Sequence, residues 1–101
     1  MSTPEHAVKV KVKAALRTLP RVWPWMPVQN GMGTPALDFI NCVDGKFIAV
    51  ETKAPGKALT PRQEITAANI RAAGGRVYVI HDKAEIEQMM QELRAPDASN
   101  R

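Results

Sequence analysis

The dipeptide Asp44-Gly45 constrains the fold of this sequence more than any other feature. It separates two β-rich runs, residues 37–43 and 46–53, and Asp-Gly between such runs is typical of a two-residue β-hairpin turn. A turn of this length fixes which residues pair, because a shift of one residue moves every side chain to the opposite face of the sheet. The sequence therefore predicts an antiparallel hairpin with a defined register.

That register brings charged side chains together at the end of the hairpin away from the turn. Asp38 is predicted to lie directly across from Glu51, and Lys53 to share their face of the sheet, because side chains alternate between faces. Opposed carboxylates repel each other unless a cation lies between them. Lys53 offsets one of the two negative charges. The other favours a divalent ion such as Mg²⁺ or Mn²⁺, with the carbonyl oxygen of Thr52 as a further ligand. A surface salt-bridge cluster is the alternative.

A helix is predicted at the start of the chain. Ser2 as N-cap and Glu5 three residues later have the spacing of a capping box, and Pro20 ends the helix after about Leu19. Glu5 also projects from the side of the helix that carries the apolar stripe. It therefore either caps the helix or supports a site beside the sheet.

The positive charge of the chain is concentrated in this first helix. The net charge is +4, and the first 21 residues hold five basic side chains against one acidic, whereas the remainder is balanced at nine against nine. Lys9, Lys13 and Arg17 follow one another at one-turn spacing along one flank. Such a flank favours a polyanionic partner, nucleic acid before membrane, although a solvated helix face has the same pattern.

The remaining elements complete an α/β domain. Thr60 and Gln63 have the spacing of a capping box, which predicts a helix that ends near residues 74–75. Asp82 and Glu85 predict a closing helix in the same way. The other segments are a short or edge strand over residues 23–28, a glycine-rich loop over 29–34 and a strand over 76–80. The order α-β-β-β-α-β-α predicts a mixed sheet flanked by helices.

Composition excludes several classes of protein. Cys42 is the single cysteine, so the chain has no internal disulfide partner and, with two histidines, no tetrahedral zinc set. No apolar stretch approaches the roughly 20 residues of a membrane span, and a charged N-terminus predicts a cytoplasmic protein. We expect one domain over residues 1–101, with a frayed tail from about residue 95. Cys42 is interpreted as a buried hydrophobe, and Trp23 and Trp25 as core or interface anchors.

The acid followed by a Glu-X-Lys motif, within this element order, resembles the PD-(D/E)XK nuclease superfamily and its restriction-endonuclease-like core. The wider pattern is similar to the VRR-NUC family, in particular its stand-alone phage-type members. In many relatives the acid directly follows a proline, whereas two residues separate Pro35 from Asp38 here. The similar segments are residues 33–40, 45–57, 60–63 and 71–75.

The resemblance implies a metal-dependent DNA endonuclease that selects branched DNA such as four-way junctions. It implies that Asp38, Glu51 and the Thr52 carbonyl hold the metal, and that Lys53 positions or activates the attacking water. Gln63 matches the helix glutamine of the family and Glu5 the acidic residue at the start of its first helix, which implies a catalytic role for both, although each is also explained as a helix cap. Symmetric cleavage of two strands favours a homodimer. Expected backbone contacts come from Lys9, Lys13, Arg17, Lys57 and Arg62.

Two rival functions fit the same residues. The first is a nucleic-acid-binding module that keeps the fold and the basic helix without turnover. The second is a structural dimerisation domain in which the carboxylates form only salt bridges. Metal-dependent cleavage separates the first rival from a nuclease, and stabilisation by a divalent ion separates the second.

Overall fold

A computed structural model describes residues 3–28 and 35–95 of the chain. Its sheet has the order β1-β2-β3-β4, with β1, β2 and β3 antiparallel and β4 parallel to β3. The predicted element order and mixed sheet are confirmed, whereas the predicted loop over 29–34 and the tail beyond residue 95 lie outside the described residues. The elements are α1 (Pro4–Leu16), β1 (Val22–Trp25), β2 (Phe39–Val43), β3 (Lys46–Thr52), α2 (Pro61–Ala72), β4 (Arg76–Ile80) and α3 (Lys83–Arg94).

The hairpin of β2 and β3 has the predicted register. Val43 pairs with Lys46 next to the turn. Asp44 and Gly45 have φ angles of 51° and 81°, the left-handed values that a type I′ turn requires at both central positions. Because glycine adopts this region freely and aspartate tolerates it, the local sequence alone decides the turn.

Helix α1 differs from the prediction at both ends. Its N-cap is Thr3 rather than Ser2, and the Thr3 hydroxyl accepts a hydrogen bond from the backbone N–H of His6 at 3.0 Å. Pro4 explains the difference, because proline is favoured at the first helical position and so makes its predecessor the cap. The helix ends at Leu16 rather than Leu19, because the following N–H groups turn back to carbonyls three residues earlier.

Helices cover both faces of the sheet, but they do so unequally. Helices α1 and α3 pack on one face and form the main core with alternate residues of the strands. Helix α2 lies on the other face, where it packs against β4, and its Ala67 is fully buried. The core consists of Val8, Val12, Leu16, Leu19, Phe39, Val43, Ile48, Val50, Ile80, Ile86, Met89 and Met90.

On the face of the sheet where α2 packs, strands β1 and β2 are left uncovered. Trp23 and Trp25 are 65% and 52% exposed, and Phe47 is 48% exposed. Cys42 lies opposite Trp23 on this face and is exposed, so the prediction that it is buried is wrong. Its sequence context is that of a half-buried strand, and only the position of α2 decides which face is left uncovered. Among the described residues, no helix has the length and apolarity needed to cross a membrane.

Candidate active site

Two acidic residues meet at the end of the hairpin away from its turn. The backbone N–H of Asp38 donates to Oε1 of Glu51 at 3.0 Å. In return, Oδ2 of Asp38 accepts hydrogen bonds from the backbone N–H of Thr52 at 3.0 Å and from its hydroxyl at 2.6 Å. Hydrogen bonds to an ionised acceptor are roughly twice as strong as neutral ones. The predicted opposition of Asp38 and Glu51 is therefore present. Hydrogen bonds hold both carboxyl groups, that of Glu51 through Asp38 and that of Asp38 through Thr52.

Thr52 contributes to this cluster in a way that the sequence did not indicate. Its carbonyl was the predicted group, but its N–H and hydroxyl are the groups that hold the Asp38 carboxylate. Asp38 lies in a bend just before β2, which lets its side chain reach Thr52 at the end of the sheet. Contact between the Thr52 carbonyl and a metal stays a prediction.

Two lysines reach the two acids from different elements. Lys53 Nζ lies 4.0 Å from Oε2 of Glu51, and Lys9 Nζ lies 3.5 Å from Oδ1 of Asp38. Lys53 was predicted at this site from the alternation along β3. Lys9 was predicted only as a contact to the DNA backbone. Lys9 is four residues from Glu5 on α1, and this spacing indicates that both side chains lie on one edge of that helix.

Gln63 caps α2 and also contacts Glu51, and its role in catalysis stays a prediction. Its Oε1 accepts from the backbone N–H of Thr60, and its own N–H donates to the Thr60 hydroxyl, which completes the capping box. Its Nε2 donates to Oε2 of Glu51 at 3.0 Å. A side-chain amide has a donor end and an acceptor end, so one residue caps α2 and orients the acid.

The environment of Glu51 raises the pKa of its carboxyl from 4.5 to about 7. Burial is the largest cause, since Glu51 is only 4% exposed, and the negative charge of Asp38 is the second. The hydrogen bond from Asp38 and the charge of Lys53 act in the opposite direction, and the charge of Glu5 adds a small further increase. Glu5 on α1 thus adds negative charge at the site, so that three acidic side chains face two lysines, Lys9 and Lys53.

The donor set fits a hard divalent cation. Among the described residues, no group of three or more histidine, cysteine or acidic side chains has the arrangement of a metal site. Mg²⁺ typically binds through one or two carboxylates, with waters and substrate phosphates as its other ligands. The carboxylates of Asp38 and Glu51 meet this requirement, because two lysines face three negative charges once Glu5 is included, whereas they do not meet that of a structural zinc site.

The remaining basic residues that were predicted to contact DNA lie on or next to α1, on α2 and in the loop between β3 and α2. Lys13 and Arg17 continue along α1 and border a small groove over β1. Arg62 precedes Gln63 and borders the open apolar groove between α2 and the sheet. Lys57 lies in the loop after β3, where its carbonyl accepts from Nε2 of His81 at 2.7 Å. His81 therefore holds that loop against the end of β4.

The sheet order, an acid facing a Glu-X-Lys strand, and a glutamine on the next helix define a nuclease-type fold. The chain belongs to the VRR-NUC domain family, whose model matches residues 1–84. A solved structure described as a VRR-NUC domain is similar in fold, with a TM-score of 0.76 and 20% sequence identity. The similarity covers 89% of this chain and 97% of that one. No curated protein matches the chain.

Proposed function

We propose that this protein is a divalent-metal-dependent DNA endonuclease that hydrolyses backbone phosphodiesters and selects branched DNA such as four-way junctions. The observation that carries the proposal is the pair formed by the half-buried Asp38 and the buried Glu51, which is hydrogen-bonded across the hairpin and has Lys53 beside it. Burying an ionised acid costs free energy, and carboxyl groups perturbed in this way cluster at functional sites. Membership in a nuclease-type family supports the same reading.

In this proposal each residue of the site has a separate task. Asp38 and Glu51 hold Mg²⁺ or Mn²⁺, which supplies positive charge at the phosphate and lowers the pKa of a bound water. Lys53 orients that water or donates to a phosphate oxygen as negative charge develops on it. Gln63 keeps Glu51 in position, and Glu5 adds negative charge that favours the cation.

The DNA is held through its backbone rather than through its bases. Lys13 and Arg17 extend the basic edge of α1 away from the site, and Arg62 and Lys57 add charge from α2 and the loop before it. Contacts of lysine and arginine to phosphates position a duplex but carry no sequence information. Contacts of this kind favour selection by the shape of the DNA, and the family resemblance adds branched DNA as the substrate.

We propose that the protein acts as a homodimer that associates through the open face of its sheet. Trp23, Trp25 and Phe47 expose about 400 Å² of aromatic surface per copy, half of the ~800 Å² that each partner buries in a standard interface. Pro24 lacks an N–H, which disfavours pairing along the β1 edge and leaves the face for contact. Two copies then present two active sites to the two strands of a junction.

Cleavage of labelled DNA tests the proposal. The substrates are linear, flap, splayed and four-way DNA with Mg²⁺ or Mn²⁺, and the variants are Asp38→Asn and Lys53→Met. Both variants are expected to reduce cleavage by about 100-fold or more, the typical effect of losing a group that stabilises transition-state charge. Lys46→Met removes the same charge at the turn end of β3, at the opposite end of that strand from Glu51 and Thr52, and is expected to cut normally.

The outcomes separate the proposal from its two rivals. Junction binding without cleavage by the wild-type protein favours a binding module, and unchanged cleavage in both site variants excludes this site. A structural dimerisation domain predicts that Mg²⁺ leaves the melting temperature unchanged. A metal site predicts stabilisation by mass action, about 2.7 kcal/mol at a concentration 100 times the dissociation constant.

A further inference from the structure

We infer that Lys9 is a positioning residue of this site: its ammonium group holds Asp38 in the metal-free protein and competes with a divalent cation for that carboxylate. The inference rests on the proposed function, because it concerns the same pair of acids. It assigns to Lys9 a role distinct from that of the other basic residues of α1.

The two oxygens of Asp38 have different partners. Oδ2 accepts two hydrogen bonds, from the backbone N–H and the hydroxyl of Thr52. Oδ1 faces Lys9, whose Nζ lies 3.5 Å away. Oδ1 is therefore the oxygen that Thr52 leaves open to a cation, and in the structure a lysine lies beside it.

Lys9 and Lys53 differ in how easily they can leave the site. The Lys53 side chain is 11% exposed and lies beside Glu51, whereas the Lys9 side chain is 30% exposed. A lysine that already reaches water can release its partner without crossing a buried region, because its flexible stem carries a strongly hydrated charge. Of the two, Lys9 is the lysine that an arriving cation displaces.

The position of Lys9 is set by the core rather than by its own ion pair. Val8 and Val12 of α1 are buried in the main core, so the helix backbone is fixed against the sheet. Lys9 can then exchange partners by changing only its side-chain conformation. Lys11 lies on the same helix but is exposed, which makes it the matched control for removal of one positive charge.

The test is the dissociation constant of Mn²⁺, measured by titration calorimetry or by electron paramagnetic resonance of free Mn²⁺. Lys9→Met is expected to bind Mn²⁺ about fivefold more tightly than the wild-type protein, the effect of removing a partly exposed competing ion pair. Lys9→Arg keeps the charge and is expected to restore the wild-type value. Lys11→Met is expected to leave it unchanged, and Asp38→Asn to abolish binding.

The outcomes distinguish the role of Lys9 from the presence of the metal site. Equal affinity in Lys9→Met and the wild-type protein overturns the inference and leaves the proposed metal site intact. Equal tightening in Lys9→Met and Lys11→Met also overturns it, because the effect is then one of net charge. Absence of Mn²⁺ binding in both the wild-type protein and Lys9→Met refutes the metal site as well. Far-ultraviolet circular dichroism confirms that each variant is folded.

Discussion

The carboxyl of Glu51 makes the stability of the metal-free protein depend on pH, and Glu51→Gln tests this dependence. The folded protein raises the pKa of Glu51 to about 7 from its ordinary value of 4.5, chiefly because the group is buried and faces Asp38. The folded state therefore binds the proton more tightly than the unfolded state. The resulting stabilisation is fully present below pH 4.5 and is lost as the pH rises through 7.

The size of the effect follows from these two pKa values. The whole difference corresponds to about 3 kcal/mol, and about 2.5 kcal/mol of it falls between pH 5 and pH 8. At 4% exposure, Glu51 has little solvent to screen it. The introduced amide still accepts from the N–H of Asp38, but it turns a donor toward Nε2 of Gln63. That mismatch costs about 1 kcal/mol and does not depend on pH.

Urea unfolding followed by circular dichroism, in EDTA at pH 5 and pH 8, measures this difference. Relative to the wild-type protein, Glu51→Gln is expected to gain about 2.5 kcal/mol of unfolding free energy between the two pH values. Saturating Mg²⁺ at pH 8 is expected to stabilise the wild-type protein but not the variant. A stability difference that is the same at pH 5 and pH 8 would refute the argument from burial and charge.

Two further predictions concern the packing of α2 and the open face of the sheet. In Gly75→Ala the new Cβ would lie 2.7 Å from Cγ2 of Ile70 and 3.2 Å from its carbonyl oxygen. Urea unfolding should therefore show a loss of about 1–3 kcal/mol in the free energy of unfolding. An unchanged free energy would mean that the backbone after α2 moves without cost to make room for the methyl group. Trp25→Ser is expected to weaken dimerisation by about 2 kcal/mol in sedimentation equilibrium, whereas Val10→Ser, on α1 and 53% exposed, should not. A monomeric wild-type protein would contradict the proposed interface.

Local signals predicted the elements that depend on local chemistry. Residues 44–45 determine the hairpin register because their backbone conformation suits few residue types, and the pairing of Asp38 with Glu51 follows from that register. Capping patterns located α2 and α3, although the capping box predicted for α3 is incomplete. Asp82 caps α3 as predicted, but the Glu85 carboxylate accepts from the N–H of His81 rather than completing the box.

The N-cap of α1 was predicted wrongly because two neighbouring residues can fill that position. Ser2 and Thr3 are both good N-caps, and the choice between them depends on where Pro4 can start the helix. The apolar residues of α2 fall on two sides, so periodicity left its orientation open. The structure buries Ala67 and exposes Ile65, which is the orientation that directs Gln63 to Glu51.

The sequence by itself determined the element order, the hairpin register and the opposition of two acids with Lys53 beside them, because turns, caps and strand alternation act over a few residues. Only the tertiary structure decided that Lys9 lies at Asp38, that Gln63 reaches Glu51 and that Trp23 remains exposed. These relations depend on the angle and position at which helices pack on the sheet. Packing of that kind is set by the sum of many contacts between distant residues, which no short pattern encodes.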